Sequence, residues 1–144
     1  MEGSVDLKMT IPDLNEFIKV EFPQITDEFV IREISKDSAV LGFMTNQKHL
    51  RPGDTVSGPT MFALCDVTSY ICLLAILGPV AQSVTTNCSI DFMRRPEAGL
   101  LVCRANVLKL GKRLAVFDGR IYSGAVEEKP VARFSVTYAI QVNS

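Results

Sequence analysis

The feature that most constrains this chain is a mostly apolar segment of 17 residues, Met61 to Leu77. Its length is at the short end of what crosses a bilayer as a helix. Asp66, Thr68 and Ser69 lie inside it, however, and no basic cluster flanks it. A helix that is apolar on nearly all sides also suits the centre of a soluble core. We therefore interpret the segment as a core helix and predict no membrane association.

Local signals mark both ends of this helix. Ser57 has a hydroxyl suited to an N-cap, and Pro59 falls in the first turn, where proline is tolerated. Gly78 and Pro79 together form a strong stop signal. The sequence therefore predicts a central helix over about 58–77.

Strand-like patterns surround the central helix. From Val84 to Phe92, apolar and polar residues alternate with a period of two, which places Thr85, Asn87, Ser89 and Asp91 on a polar, outward face. The predicted strands, within the regions 29–44 and 83–142, are 29–34, 39–44, 84–92, 101–107, 114–122 and 132–140. A short helix is predicted over 12–20, and a polar loop over 45–56. One long helix placed before four antiparallel strands predicts an α+β fold, with the sheet wrapped around the helix.

Size and charge limit the classes of function. At 144 residues the chain is expected to form a single domain, 1–144. A net charge of −1 argues against a protein whose main task is to bind nucleic acid. Between Arg94 and Arg113, however, lie six basic residues and one acidic residue. This basic zone suits a small anionic ligand, or it consists of solvated surface charges.

The metal-binding residue types give little indication of a metal site. Cys65, Cys72, Cys88 and Cys103 lie in apolar segments without a CxxC pair, which indicates small buried side chains and a reducing, cytoplasmic compartment. His49 is the single histidine and is predicted to be a loop residue, so no zinc cluster is expected. The first ten residues lack the apolar region of a signal peptide.

Asp66 is the residue most indicative of chemistry. A carboxylate inside an apolar helix must be paired, hydrogen-bonded or exposed to a pocket, because its isolated burial is costly. A bond to Ser69, or to backbone from a neighbouring subunit, is one explanation. The alternative is catalytic. Free backbone N–H groups at the helix start, Ser57-Gly58-Pro59, could polarise a carbonyl while Asp66 acts as nucleophile or base.

The segment from Ser57 to Asp66, SGPTMFALCD, resembles the HGGxxFxLAD motif of the PaaI-like (phenylacetate-degradation type) hotdog-fold thioesterases. Further similarity lies in 90–96, at Gly99 and in 107–113, so the resemblance covers roughly 28–140. It implies hydrolysis of acyl-coenzyme A thioesters at a site between two subunits. No separate cofactor is implied, because coenzyme A is part of the substrate.

The resemblance also implies roles for individual residues. The family's acidic residue corresponds to Asp66, and the glycine whose N–H holds the thioester carbonyl corresponds to Gly58. A hydroxyl residue that places the attacking water in some members corresponds to Thr85, and a contributing amide position is occupied here by Arg51. The motif histidine is replaced by Ser57 and the second motif glycine by a proline, so mechanisms that need an imidazole or the second N–H are excluded.

The predicted substrate-binding residues are Arg51, Ser57, Phe62, Tyr70, Arg94, Arg95, Lys112 and Arg113. The last four are expected to hold the coenzyme's phosphates, and Phe62, Tyr70 and Leu73 to line the acyl pocket together with the partner chain. The open edges of such a sheet predict a homodimer at least, and a homotetramer built from dimers. The alternatives are a ligand-binding hotdog protein without turnover and, ranked last for want of a placed histidine, a dehydratase or hydratase.

Overall fold

A computed structural model describes residues 7–21, 29–79, 82–124 and 129–141. Of the first ten residues, which are predicted to lack the apolar region of a signal peptide, 1–6 lie outside these ranges. The described helices are α1 (Ile11–Glu21) and α2 (Gly58–Leu77), with a short 3-10 helix at Gln47–His49. The strands are β1 (Phe29–Ile34), β2 (Ser38–Met44), β3 (Leu50–Arg51), β4 (Thr55–Val56), β5 (Gln82–Phe92), β6 (Leu100–Leu110), β7 (Leu114–Ser123) and β8 (Ala132–Gln141).

Six strands form one antiparallel sheet in the order β1-β2-β6-β7-β8-β5. Helix α2 packs against one face of this sheet, and α1 lies against β1 and α2. The strands β1 and β5 form the two edges. The predicted α+β fold, an antiparallel sheet on one long helix, is confirmed.

The signals at the ends of α2 act as the sequence predicts. Ser57 is extended (φ −71°, ψ 153°), and its hydroxyl accepts a hydrogen bond from the Thr60 N–H at 3.3 Å. At the other end, Gly78 has a φ of 93°, a conformation that favours glycine, and its N–H donates to the Leu74 carbonyl at 2.8 Å. The predicted limits 58–77 are confirmed.

The surface of α2 is largely covered by the sheet. Its length and a mean hydropathy of 1.9 over 18 residues would suffice for a membrane span. However, 61% of that 18-residue stretch is buried inside the domain. Leu64 and Leu74 are 0% exposed. The apolar character of the helix is therefore accounted for by the core that it forms with the strands.

The predicted alternation along β5 is wrong at its beginning. Thr85 pairs with Tyr138 on β8 and Asn87 pairs with Thr137, so Thr86 is an extra residue in a β-bulge. A bulge inverts which side chains face the core. As a result Thr85 bonds to α2 instead of lying on the outward face. The bulge therefore turns a polar side chain toward the helix.

The segment 45–56 also differs from its prediction as a polar loop. It contains the 3-10 helix and the β3-β4 ladder. His49, expected in a loop, is 8% exposed, and its ring packs against Phe43 with the centroids 4.7 Å apart. Its Nδ1 accepts a hydrogen bond from the Asn46 N–H at 2.9 Å. His49 therefore stabilises this local turn.

Candidate active site

The Asp66 carboxylate is held by two hydroxyl groups. It lies half-buried in the middle of α2, and its Oδ1 accepts hydrogen bonds from Tyr138 at 2.7 Å and from Thr85 at 3.2 Å. The Tyr138 hydroxyl is also 2.7 Å from the carbonyl oxygen of Asp66. Within the described residues, Oδ2 has no hydrogen-bond partner. One oxygen is thus fixed, and the other is left for chemistry.

Tyr138 reaches Asp66 because β8 pairs with β5 at Thr85. The residue is 2% exposed, and its ring packs edge-on against Phe117 with centroids 5.9 Å apart. Burial, and then the charge of Asp66, raise the pKa of Tyr138 far above its usual range. The phenol therefore remains a hydrogen-bond donor at neutral pH. This role of Tyr138 is not predicted from the sequence, although a buried tyrosine hydroxyl generally needs a hydrogen-bond partner.

Ser69 does not hold Asp66, so the predicted bond between these two side chains is wrong. The Ser69 hydroxyl donates to the Cys65 carbonyl at 2.9 Å, one turn earlier on α2. Thr68 likewise donates to the Leu64 carbonyl, at 2.7 Å. Both hydroxyls are satisfied within the helix, which leaves Asp66 to partners on β5 and β8.

A cavity of about 190 Å³ opens beside Asp66, and we refer to it as the Asp66 cavity. It is lined by Ile18, Asp66, Val67, Tyr70, Ser83, Thr85 and Tyr138, from α1, α2, β5 and β8. Three predicted site residues, Asp66, Tyr70 and Thr85, therefore come together. Phe62 lies one turn before Asp66 with 42% of its surface exposed and does not line the cavity. Leu73 is 0% exposed in the core, so its predicted place in the pocket is wrong.

Ser83 is a second residue that the sequence analysis missed. Its hydroxyl oxygen is buried at the Asp66 cavity and has no hydrogen-bond partner within the described residues. A buried hydroxyl without a partner costs about 1–3 kcal/mol. Because Ser83 lies two residues before Thr85 on β5, the two hydroxyls face the same side of the strand. Together they can bind a polar group that enters the cavity.

The start of α2 carries a free backbone donor. The Ser57 hydroxyl serves as the N-cap and lies 2.8 Å from the Thr60 hydroxyl, and Pro59 has no N–H. The Gly58 N–H has no acceptor among the described residues, and it lies at the positive end of the helix dipole. A side chain added at Gly58 would meet the Phe92 ring at 3.3 Å. Glycine at this position therefore avoids a tight contact with the Phe92 ring.

A groove of about 450 Å³ surrounds this donor, and we refer to it as the Gly58 groove. Its lining residues include Arg51, Gly58, Phe92, Arg94 and Arg95. The Arg94 guanidinium donates to the Pro130 carbonyl at 2.8 Å, which fixes its position without neutralising its charge. The groove therefore combines three positive charges with a helix N-terminus, an arrangement that favours anions.

The two halves of the predicted site do not meet within one chain. Gly58 precedes Asp66 by eight residues, which is about 12 Å along a helix axis. A reacting carbonyl must lie about 3 Å from both its donor and its nucleophile. A single chain therefore cannot bring Gly58 and Asp66 to one thioester.

The four predicted phosphate ligands also separate into two pairs. The Arg113 carbonyl accepts from Ile140, whereas the Arg94 N–H donates to Val131 at the other end of β8. Nine residues of strand separate these contacts, or about 30 Å. Arg94 and Arg95 thus lie at the Gly58 groove, and Lys112 and Arg113 at the opposite end of the sheet.

The cysteines behave as the sequence predicts. Cys65, Cys72 and Cys103 are buried, Cys88 is half-buried, and all four are free thiols. Burial raises the pKa of each of these thiols. In the part of the chain that the structure describes, no three His, Cys, Asp or Glu side chains are grouped to hold a metal ion. The polar side chains that line the Asp66 cavity are one carboxylate and the hydroxyl groups of Tyr70, Ser83, Thr85 and Tyr138.

Comparison with known proteins places this site in a family context. The model of the thioesterase superfamily matches residues 53–129, just over half of the chain. An esterase of Saccharolobus solfataricus is 30% identical over 119 residues, which cover 81% of this chain and 77% of that protein. The residues that the family model matches include α2, with Gly58 and Asp66, and the strands β5, β6 and β7.

Solved structures agree with these sequence matches. A thioesterase from a Silicibacter species superposes with a TM-score of 0.88 and 45% identity over 96% of each chain. A variant of the phenylacetic acid degradation protein PaaI from Thermus thermophilus gives a TM-score of 0.70 at 25% identity, with 81% of this chain and 97% of that chain covered. The chain is thus similar to thioesterases over nearly its whole length.

Proposed function

The chain belongs to the thioesterase superfamily, has the hotdog fold of its PaaI-like members and is a thioester hydrolase; from this premise we propose that it hydrolyses acyl-coenzyme A. The products are a carboxylic acid and free coenzyme A. The observation that carries the proposal is the Asp66 carboxylate. One of its oxygens is held by Tyr138 and Thr85, and the other is open at the Asp66 cavity.

In the proposed mechanism, Asp66 acts as a general base. The hydroxyls of Ser83 and Thr85 hold a water molecule in the Asp66 cavity, and Oδ2 of Asp66 takes its proton. The water oxygen attacks the thioester carbon, and the resulting oxyanion accepts a hydrogen bond from a Gly58 N–H. Collapse of this intermediate breaks the C–S bond, and the leaving thiolate receives the proton from Asp66. The Ser83 hydroxyl is buried and has no partner among the described residues, which favours this route because a water bound there can satisfy it.

The alternative route uses Asp66 as a nucleophile. Oδ2 then attacks the thioester carbon directly, coenzyme A leaves, and water hydrolyses the anhydride. The fixed Oδ1 serves both routes, because it orients the carboxylate. Tyr138 is a positioning residue in either case.

Two chains are needed to complete the proposed site. Since Gly58 and Asp66 are about 12 Å apart in one chain, the Gly58 N–H that meets the substrate belongs to the partner subunit. The edge strand β5 offers unpaired backbone groups for this assembly. Antiparallel pairing of two β5 edges brings the Phe92 end of one chain, with Gly58 beside it, toward the Thr85 end of the other. We therefore propose a homodimer with two shared sites, or a tetramer of such dimers.

The same assembly supports the proposed contacts to coenzyme A. It brings Arg51, Arg94 and Arg95 of one chain toward Lys112 and Arg113 of the other, so that both basic pairs line one entrance. These side chains are proposed to hold the phosphates. Three further residues have proposed roles. Ser57, the N-cap of α2, orients the Gly58 N–H. Phe62 contacts the bound acyl-coenzyme A, and Tyr70 lines the acyl pocket.

The proposed reaction uses water and the chain's own side chains. Coenzyme A enters as part of the substrate, and no separate cofactor is invoked. The free thiols of Cys65, Cys72 and Cys103 suit a reducing compartment. We propose that the protein acts in the cytoplasm.

Replacing the carboxylate tests the proposal directly. Asp66→Asn and Asp66→Ala are expected to lower kcat at least ~10²–10³-fold with little change in KM, because the base acts mainly in the transition state. The measurement is free-thiol release from a panel of acyl-CoA substrates. Asp91→Asn is the matched control, since Asp91 is an exposed carboxylate that pairs with Arg133 at 3.1 Å. Wild-type turnover by Asp66→Asn would remove Asp66 from the mechanism, and binding of the whole panel without hydrolysis would favour the ligand-binding alternative.

A single turnover in ¹⁸O-water distinguishes the two routes. General-base catalysis places solvent oxygen in the acid in the first turnover. In the anhydride route, water attacks the aspartyl carbonyl and breaks its bond to the bridging oxygen, so that enzyme oxygen stays with the acid. The first product then carries only ¹⁶O, and Asp66 acquires the label. We expect ¹⁸O in the first product.

A further inference from the structure

A second cavity adjoins the Asp66 cavity. It has a volume of about 340 Å³ and lies between α1, α2 and the strands β1 and β2. Two residues, Ile18 of α1 and Val67 of α2, line both cavities, and we refer to them as the dividing wall. Ile18 is 7% exposed, so most of its side chain is enclosed between the two spaces.

The second cavity has the chemistry of a site for an apolar chain. Its inner surface is formed by the apolar residues Phe29, Ile31, Leu41 and Ile71. Asn15, Glu16 and Lys19 of α1 line it as well, and all three are exposed on the molecular surface. An apolar interior with a few polar groups at the surface is the usual form of a small-molecule site. Its position behind the Asp66 cavity suits the far end of an acyl group.

The dividing wall is held in place by fixed contacts of α1. Thr10 and Asp13 cap the helix start reciprocally, with the Thr10 N–H donating to the Asp13 carboxylate at 3.0 Å and the Asp13 N–H to the Thr10 hydroxyl at 3.2 Å. Just before them, the Lys8 N–H donates to the Ala75 carbonyl of α2 at 2.7 Å. Ile18 is therefore a fixed barrier on an anchored helix.

The two volumes suggest a limit on substrate size. A cavity of about 150 Å³ lined by apolar side chains binds benzene. The Asp66 cavity, at about 190 Å³, therefore has room for an acyl group of roughly six carbons or one aromatic ring. A longer chain can bury its far end only by passing the dividing wall into the second cavity.

We propose that Ile18 and Val67 set the upper length of the acyl group, so that the enzyme selects short aliphatic or single-ring acyl-CoA. This inference rests on the proposed function and adds the substrate class to it. Removing the side chain of either wall residue joins the two cavities. The joined space accepts a long chain, while the reacting carboxylate is unchanged.

The test compares decanoyl-CoA with hexanoyl-CoA, by the ratio of their kcat/KM values. Burial of one methylene is worth about fourfold in binding. Decanoyl-CoA has four methylenes more than hexanoyl-CoA, so in Ile18→Ala we expect the ratio to rise by up to about 250-fold over wild type, and in Val67→Ala in the same direction. A second substitution, Ile31→Trp, fills the second cavity and should return the ratio of Ile18→Ala to the wild-type value.

Leu14→Ala is the matched control. Leu14 lies one turn before Ile18 on the same face of α1 and is 0% exposed, but it lines neither cavity. It should lower the melting temperature and leave the ratio unchanged. If the ratio rises in Leu14→Ala as much as in Ile18→Ala, looser packing of α1 is enough to admit the longer chain. That result would overturn the proposal.

Two further outcomes would contradict the inference. The first is a wild-type enzyme that already prefers decanoyl-CoA. The second is an unchanged ratio in Ile18→Ala and Val67→Ala while both still hydrolyse hexanoyl-CoA. Failure of the proposed function is recognised separately, because wild type would then release no thiol from any acyl-CoA of the panel, single-ring substrates included. Val67→Ala keeps the test decisive if Ile18→Ala does not fold, since it opens the wall from α2.

Discussion

The two regions of α2 that carry site residues differ in how complete they are. The Asp66 cavity is lined by residues of four elements, and its carboxylate has two hydrogen-bond partners. The Gly58 groove instead has an N–H without an acceptor among the described residues and leaves Phe92 52% exposed. One chain thus provides partners for the proposed base and leaves the half with the proposed oxyanion donor open. This difference supports the proposal that a second chain completes the open half.

The regions also differ in charge. The Asp66 cavity contains one carboxylate among hydroxyl and apolar groups, whereas the Gly58 groove contains Arg51, Arg94 and Arg95. The first environment suits an acyl group and a water molecule, and the second suits phosphates. A substrate that is apolar at one end and anionic at the other matches this division.

Removing the Gly58 donor should have the largest effect at the open half. Gly58→Pro deletes the N–H, and proline is accepted at the first helical position because Ser57 is already extended. Loss of one oxyanion donor typically costs ~10²–10³-fold in kcat. Steady-state kinetics with hexanoyl-CoA measure the loss.

Gly58→Ala is the matched control for that variant. It adds a similar contact to the Phe92 ring but keeps the N–H, and the exposed ring has space to move. We expect its kcat to stay close to wild type. Equal losses in the two variants would show that crowding at Phe92, and not the donor, matters.

In the half of the site that holds Asp66, loss of the Tyr138 hydroxyl should lower kcat by a smaller factor. Tyr138→Phe keeps the ring in the core but removes one hydrogen bond to Oδ1 of Asp66. We expect kcat to fall about tenfold with KM unchanged, because one hydrogen bond to a charged group is lost. Because the pKa of Tyr138 is raised, its hydroxyl keeps its proton as pH rises through its usual range near ~10. An alkaline loss of wild-type kcat that disappears in Tyr138→Phe would contradict this.

Charge reversal at the Gly58 groove should change KM more than kcat. We expect the double variant Arg94→Glu and Arg95→Glu to raise KM about tenfold with a smaller change in kcat, because phosphates bind alike in the ground and transition states. In the wild-type enzyme, KM should rise at high salt, because salt screens the attraction between the arginines and the phosphates. Reversal of Arg104 and Arg120, which line a separate groove on the sheet, is the control. A control that raises KM equally would point to general electrostatic attraction.

The fold could be predicted where its signals are local. Ser57, Pro59 and Gly78 mark the ends of α2 within a few residues, and the alternation of side chains marks the strands. Asp66 was identified for the same reason, since a carboxylate is anomalous in an apolar helix wherever the sheet lies.

The missed features depend on pairing between distant segments. The contact of Tyr138 with Asp66 requires the β5-β8 register, and the inward position of Thr85 requires the bulge at Thr86. The basic zone looked continuous because Arg94 and Arg113 are close in sequence. The strand β6 between them is 11 residues long and carries the chain to the other end of the sheet.

Mixing two inactive chains tests most directly whether the site is shared. Asp66→Asn and Gly58→Pro chains, each with a different affinity tag, are co-expressed, and dimers that carry both tags are isolated. In a two-fold dimer with shared sites, one of the two sites then has an intact Asp66 and an intact partner Gly58. We predict about half of the wild-type kcat per dimer, with each parent variant nearly inactive. A doubly tagged dimer as inactive as its parents would contradict a site built from two chains.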